Sequence, residues 1–258
     1  MERINDIVGY KNRRIYQDTD CFSFSLDSLI LGNFSTIRKN DKRILDICTG
    51  NGIIPFILSL RCDKKIEGVE IQDKLYELAI KSNKLNNLED QITFYHEDIK
   101  DFVTKDRLGK YDLITCNPPY FKDNDINNNL TMEKTIARHE IKLKLDELIE
   151  CVSKLLDNNG TFSLVHRSER IAEIIDLLNK NNLEVKRLKF IYKNCDSNAE
   201  MVFLESRKNG NVGLKVEKPF IVYNLDGSYT DEYKHITEEV LKWVLKRVTK
   251  RNLKGNYI

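Results

Sequence analysis

Short apolar runs alternate with amphipathic stretches from residue 44 onward, and that alternation predicts most of the architecture. Ile44-Leu-Asp-Ile47 reads as a buried strand, and Ile53 to Leu60 as the helix after it. Ile66 to Glu70 predicts a second strand. The helix that follows, Asp73 to Leu85, places Leu75, Leu78, Ala79 and Leu85 on one face. Ile92 to Tyr95 and Tyr111 to Cys116 give a third and a fourth strand. Leu145 to Leu156 predicts a helix, and Asn158-Asn-Gly160 a turn into a strand over Thr161 to Val165. Ser168 is expected to cap a helix running to Lys180. The runs Glu184 to Tyr192 and Met201 to Ser206 have no helical pattern between them, so they predict an antiparallel finish. Strands alternating with helices in this way argue an α/β, doubly wound fold, here a seven-stranded, mostly parallel sheet with an antiparallel strand at its end.

The flanks are less regular. Leu26, Leu29 and Ile30 suit a short helix, with Ser25 as its N-cap. Beyond Ser206 come an extended Pro219-Phe-Ile-Val-Tyr223, a turn at Asp226-Gly227, and an amphipathic helix over about 237–249 with Ile236, Val240, Leu241, Val244, Leu245 and Val248 as its apolar stripe. There is no internal repeat and no low-complexity linker. Residues 1–258 are therefore expected to form a single domain: an amino-terminal lead-in (1–40), a core (41–207) and a carboxyl-terminal strand and helix extension (208–258).

Composition narrows the partners. The 258 residues are 32% charged yet carry a net charge of only +2, so any nucleic-acid surface must be a local patch. Two basic clusters qualify: Lys11, Arg13 and Arg14, and Lys246, Arg247, Lys250, Arg251 and Lys254. No basic-then-apolar leader and no apolar stretch near 18 residues is present, so neither export nor membrane insertion is expected. The six cysteines are scattered without a C-x-x-C. Several lie in apolar stretches and read as small core residues in a reducing cytoplasm, and no metal is expected.

Two loops at strand carboxyl ends carry the candidate chemistry, where open α/β sheets bind ligands. After the first strand lies Asp46-Ile-Cys-Thr-Gly50-Asn-Gly52, in which Gly50 and Gly52 permit a tight turn and close approach of a ligand. It lacks the third glycine of a dinucleotide fingerprint, and Asp46 would repel a pyrophosphate but suit an ammonium group. Glu70 ends the second strand, where a carboxylate can accept ribose hydroxyls. Asp98-Ile99 follows the third, where one can accept an exocyclic adenine amine. Amine, ribose and adenine together describe S-adenosylmethionine. After the fourth strand lies Asn117-Pro118-Pro119-Tyr120. Its two prolines stiffen the loop, which presents a carboxamide, a carbonyl and an aromatic ring. Asn117 Oδ1 and the Pro118 carbonyl could accept both hydrogens of a planar amine, with Tyr120 stacked on its plane.

With these residues quoted, the chain resembles the class I S-adenosylmethionine-dependent methyltransferases, whose sheet is Rossmann-like. More narrowly, it is similar to the bacterial tRNA (adenine-N6) methyltransferases that modify the adenosine 3′ to the anticodon of a valine tRNA. Phe22-Ser-Phe-Ser-Leu-Asp27-Ser-Leu-Ile-Leu, Ala137-Arg138-His139-Glu140 and Lys218-Pro-Phe-Ile-Val-Tyr with Gly227-Ser-Tyr-Thr carry the narrower likeness. The resemblance implies Asn117, Pro118, Pro119 and Tyr120 as catalytic residues. It implies Asp27, Asp46, Cys48, Thr49, Gly50, Gly52, Glu70, Ile71, Gln72, Asp98, Ile99 and Asn117 as the cofactor set. Lys11, Arg13, Arg14, Arg138, His139, Lys250 and Arg251 are the expected RNA contacts, and tRNA the partner. Cys48 stands where the family usually has its first glycine, and is expected to fit only with a negative φ.

The expected chemistry is methylation of an adenine amine with no metal and no tuned general base, on a base turned out of its stack. A protein-glutamine N5-methyltransferase would use the same four residues. That family carries an amino-terminal helical domain, for which about 40 residues leave little room. A DNA adenine methyltransferase would need a target-recognition domain, and none of adequate size is visible. A non-catalytic RNA-binding protein or cofactor sensor on the same scaffold is the alternative of a different class.

Overall fold

The computed structural model describes residues 2–7, 10–18, 26–120 and 143–234. Ser25, the Asn-rich loop at 122–129, Arg138, His139, the helix expected over 237–249, Lys250, Arg251 and the side chain of Lys11 lie outside them.

The sheet grows from its apolar runs. β3 (Arg43–Ile47), β4 (Lys65–Glu70), β5 (Ile92–His96), β6 (Tyr111–Cys116) and β7 (Leu156–Arg167) are parallel. β8 (Leu183–Tyr192) and β9 (Ala199–Lys208) complete it, β9 lying antiparallel between β7 and β8. Two two-residue strands, β10 (Lys215–Val216) and β11 (Phe220–Ile221), pair in parallel with the outer edge of β8. The order is β10-β8-β9-β7-β6-β3-β4-β5 with β11 beside β8. The sheet thus has the seven expected strands, the antiparallel finish, and two short additions.

Successive residues explain why both faces are covered. Ile44, Ile66 and Leu113 point into one apolar cluster with α1 (Leu26–Phe34) and α2 (Ile53–Arg61). Leu45, Ile114 and Cys116 point into another with α5 (Leu145–Leu155) and α6 (Ile171–Lys180). α3 (Asp73–Leu85) and the single turn α4 (Ile99–Phe102) follow β4 and β5. A parallel sheet buried on both faces needs such continuous apolar strands rather than alternation. None of the described helices is long and apolar enough to cross a membrane.

Ser168 and the lead-in depart from the sequence pattern, and Asn158-Asn-Gly160, expected as a turn, lies within β7. Ser168 does not cap the following helix: Ser168–Arg170 forms a 3-10 turn, and the Ser168 hydroxyl donates to the Ala199 carbonyl at 2.5 Å. The lead-in, moreover, holds an antiparallel hairpin, β1 (Glu2–Ile7) and β2 (Tyr10–Asp18), that no alternation announced. Of β1 only Ile7 is buried. The hairpin is held by tertiary contacts instead. The Tyr16 amide donates to Ser82 Oγ at 2.9 Å, and Asn86 accepts from the Arg14 amide at 3.0 Å and donates to its carbonyl at 2.6 Å.

Candidate functional site

β3 and β6 are neighbours with Ile47 opposite Cys116, so the loops that follow them start side by side at one edge of the sheet. The first loop turns through three left-handed residues: Cys48 (φ 57°), Gly50 (φ 59°) and Gly52 (φ 90°). The expectation for Cys48 is therefore corrected: the cysteine adopts positive φ. The left-handed well costs an L-residue roughly 1–2 kcal/mol, and the fixed loop offsets it. The Thr49 amide donates to the Val69 carbonyl (3.1 Å), the Gly52 amide to the Thr49 carbonyl (3.0 Å), and the Gly50 amide to Glu70 Oε2 (2.8 Å). The two glycines serve different ends. A Cβ on Gly52 would lie 2.7 Å from the Phe94 ring, whereas one on Gly50 would meet nothing within 4 Å. Gly52 is a packing glycine, and Gly50 borders open space.

Two buried carboxylates flank this loop. Asp46 is fully buried. Its Oδ1 accepts from the Thr115 hydroxyl at 2.5 Å, while Oδ2 has no hydrogen-bond partner. Burial pushes its pKa up to about 7, aided by the charge of Glu70 and opposed by the hydroxyls of Thr115 and Thr49. The Thr49 hydroxyl is near enough to act on that charge, yet it makes no hydrogen bond within the protein. Glu70 is only 3% exposed. It joins both sides of the loop, accepting the Gly50 amide at Oε2 and the Gln72 amide at Oε1 (2.9 Å). Burial raises its pKa, and these amides pull against the rise.

Ile71 and Gln72 continue from Glu70, half-buried, and Gln72 precedes the first turn of α3. Asp98 caps α4, accepting the Lys100 amide at 2.9 Å through Oδ1, and Ile99 beside it is buried. The cap accounts for one Asp98 oxygen; the other faces the Lys100 ammonium at 3.9 Å.

At the second loop Asn117 is gripped from both ends. Its Nδ2 donates to Ser28 Oγ of α1 at 2.8 Å, and its Oδ1 accepts the Tyr120 hydroxyl. The Tyr120 ring meets His166 edge-on (centroids 5.4 Å apart, 69°), with the Arg167 guanidinium carbon 5.9 Å from its centroid. Burial drives the Tyr120 phenol well above its ordinary pKa, and the charge of Asp27 adds to this. Tyr120 is therefore neutral and Asp27 lies close to it. Ser28, His166 and Arg167 escaped the sequence reading. Ser28 stood inside a segment already singled out, whereas nothing in sequence marked the end of β7.

The structure also ties the hairpin to the first loop: Asn51 Nδ2 donates to the Tyr16 carbonyl at 3.1 Å. Arg13 on β2 is half-buried, which lowers its pKa, and Arg14 is exposed. These two do not adjoin Asn117 through any described contact. Among the described residues, no group of three or more His, Cys, Asp or Glu side chains could hold a metal ion.

A family model described as the methyltransferase small domain matches residues 25–191. Over 237 residues, 90% of this chain and 97% of the relative, the sequence is 28% identical to a Flavobacterium psychrophilum protein named tRNA1(Val) (adenine(37)-N6)-methyltransferase. A solved structure described as a predicted O-methyltransferase from Agrobacterium tumefaciens superposes with a TM-score of 0.63 at 17% identity, covering 83% of this chain and 95% of that one. The tRNA-bound aTrm5 superposes at 0.57 with 18% identity, over 81% and 53% of the respective chains. At such identities the structural likeness speaks for the fold alone.

Proposed function

The chain belongs to the methyltransferase small-domain family, and from that premise we propose that it transfers a methyl group from S-adenosylmethionine to the exocyclic N6 of an adenosine in tRNA. The position 3′ to the anticodon of a valine tRNA is the proposed target. The observation that carries the reading is the placement of Asn117-Pro-Pro-Tyr120 directly beside the Gly50 loop, on adjacent parallel strands. The near full-length similarity to a protein of that name supports the choice of nucleoside and tRNA. Residues 1–258 are taken as one domain, with 1–40 as lead-in, 41–207 as core and 208–258 as extension. A tRNA substrate puts the reaction in the cytoplasm.

The loop fits the cofactor. Asp46 Oδ2 is a buried acceptor without a donor, suited to an ammonium, and the space over Gly50 admits a ligand against the backbone. Glu70 keeps further lone pairs for ribose hydroxyls; Asp98 and Ile99 would border the adenine, Ile71 and Gln72 the ribose side, and Cys48, Thr49, Gly52 and Asp27 the amino-acid end. Bound there, S-adenosylmethionine supplies an electrophilic methyl group.

The rest is positioning by the protein. An adenine amine is a weak nucleophile because its lone pair is delocalised into the ring. Asn117 Oδ1 and the Pro118 carbonyl accept its hydrogens, which favours a pyramidal nitrogen with a directed lone pair. Ser28 holds the carboxamide by its Nδ2, so that Oδ1 is turned to the Tyr120 side. An amide oxygen has two lone pairs, so the amine is accepted beside the Tyr120 hydroxyl or in its place. The alkylated nitrogen is acidic enough to lose its proton to water. Neutral Tyr120 contributes its ring, not a base.

The direct test is mass spectrometry of tRNA nucleosides from cells lacking the protein, alongside labelled-cofactor assays on their tRNA. Loss of N6-methyladenosine, restored by the purified protein, is expected. Methylation of release factors in place of tRNA overturns the reading.

Asp46 gives a pH signature. Its pKa of about 7 in the folded chain exceeds the usual carboxylate value. The folded state therefore holds a proton that the unfolded state has lost, and Asp46 makes stability fall as pH rises from about 4 to about 7. The ammonium of the cofactor selects the charged carboxylate, so affinity should rise over the upper part of that range, with proton release on binding. Thermal melts at about pH 5.5 and about pH 7.5, and calorimetry in buffers of different ionisation enthalpy, check both. Asp46→Asn should abolish the pH dependence of affinity and reduce that of stability, the remainder of which belongs to Glu70, whose pKa burial also raises; an undiminished pH response in that variant assigns both to another group.

A further inference from the structure

Beyond the Asn117 pocket, the same edge of the sheet carries a second group of features. β7 and β8 both run antiparallel to β9, so they are parallel to each other, and their carboxyl ends share the edge on which Asn117 stands. β11 runs parallel beside the end of β8, with Phe220 opposite Ile191. From β6 to β11 is four strand steps, about 19 Å at about 4.8 Å each. At about 3.4 Å per stacked nucleotide, a single strand of about six covers it.

Three features lie along this line. At the end of β7, Arg167 sits by the Tyr120 ring and forms no ion pair among the described residues. Past β8, the exposed Lys193 also lacks an ion pair among the described residues, and its carbonyl accepts the Tyr223 amide at 2.9 Å. Beyond β11 stands a ladder of aromatic rings. Tyr223 and Tyr229 stack at 5.0 Å and 27°, and Tyr229 and Tyr233 at 4.1 Å and 10°. Tyr229 is 42% exposed.

The ladder is fixed in place. The Asn224 amide donates to the Ser228 carbonyl at 2.8 Å, and Ser228 donates to Asp226 Oδ1 from its amide (2.9 Å) and its hydroxyl (2.6 Å). The Thr230 hydroxyl donates to the Ile221 carbonyl at 2.6 Å. Neighbouring acids are engaged with partners: Glu232 with Lys189 at 2.7 Å and Asp231 with Lys234 at 3.6 Å. A stack ordered in advance loses little freedom on binding. Stacked aromatics beside cations are what an unpaired nucleic-acid strand requires: π-faces for bases and charge for phosphates.

We propose that the edge from Arg167 past Lys193 to the Tyr223–Tyr229–Tyr233 ladder is the track of the unpaired RNA strand flanking the target adenosine. Arg167 and Lys193 meet phosphates, and an unpaired base extends the ladder. The assignment rests on the RNA-methylating reading above, and explains how a chain of nearly neutral net charge holds its substrate: by a local strip rather than by a global field.

The test combines methylation kinetics with binding of fluorescent substrate tRNA across a potassium chloride series. Tyr229→Ala removes the central ring that joins Tyr223 to Tyr233, and so is expected to raise KM for tRNA about tenfold, with kcat changed far less and cofactor affinity retained. Tyr229→Phe keeps the stack and should stay within about twofold of the parent. Lys193→Ala should flatten the slope of log affinity against log salt by about 0.7, the contribution of one single-strand phosphate. Arg167→Ala should weaken binding and flatten the slope in the same way. If the parent protein methylates tRNA but Lys193→Ala and Tyr229→Ala keep its KM and salt slope, the track is refuted and the function stands. If Tyr229→Phe is as impaired as Tyr229→Ala, stacking is not the cause and the proposal also fails. A parent that methylates no RNA refutes the functional reading itself.

Discussion

Replacing Asn117 by alanine is expected to lower turnover at least about a hundredfold while leaving cofactor affinity within a few-fold. Losing one preorganised hydrogen-bond partner in a transition state typically costs about 2.7–4 kcal/mol. Asn117 is preorganised in this sense: Ser28 takes its Nδ2 at 2.8 Å and Tyr120 its Oδ1, so the carboxamide does not reorient on substrate arrival. The loop on the cofactor side is held by Glu70 and by backbone bonds, none of which involves Asn117. The two effects should therefore separate in a turnover assay and a calorimetric titration. Ser28→Ala makes a graded companion. It frees the amide to rotate without removing it, so a loss near tenfold in kcat is expected, with unchanged KM for cofactor. Near-normal methylation by Asn117→Ala would leave the acceptor mechanism without support.

How much of this was legible beforehand depends on where each residue's constraint arises. β6 and α3 were bounded to the residue because their apolar runs are continuous or cleanly amphipathic, and the signal is local. Gly50 and Asn117 were legible for a related reason: a glycine after a strand and a proline pair after another are local departures from regular structure. The hairpin was not, because β1 is almost wholly exposed and β2 is held by Ser82 and Asn86, some 66 to 72 residues away in sequence from Tyr16 and Arg14. Ser28 was hidden likewise, since its bond to Asn117 spans 89 residues. The backbone of Cys48 was misjudged from the rarity of positive φ in side chains larger than glycine. That rarity reflects a modest cost, which a loop closed by three backbone amides can carry. His166 and Arg167 close a strand whose apolar run ends at Val165, so periodicity gave no reason to look one residue further.

Glu70→Ala should act chiefly on the cofactor, with at least a tenfold weaker complex, and the structure gives that expectation two sources. The proposed ribose contacts are charge-assisted, worth about 1.5–3 kcal/mol each. Glu70 also accepts the amides of Gly50 and Gln72, and at 3% exposure it leaves both without an alternative in water when removed. The loop that borders the cofactor space then loses the anchor that fixes Gly50 at positive φ. The two sources can be told apart. Hydrogen exchange at the Gly50 amide, measured without cofactor, should quicken in the alanine variant if the anchor matters, whereas lost ribose contacts alone leave it unchanged. Glu70→Gln retains one acceptor oxygen for one of the two amides but turns an NH2 group toward the other. It should therefore weaken binding nearly as much as alanine rather than restore it. Unchanged cofactor affinity in Glu70→Ala would show that the carboxylate serves the loop alone and that the ribose lies elsewhere. The kcat at saturating cofactor should fall far less than in Asn117→Ala, because Glu70 lies on β4, two strands from the β6 loop that orients the amine.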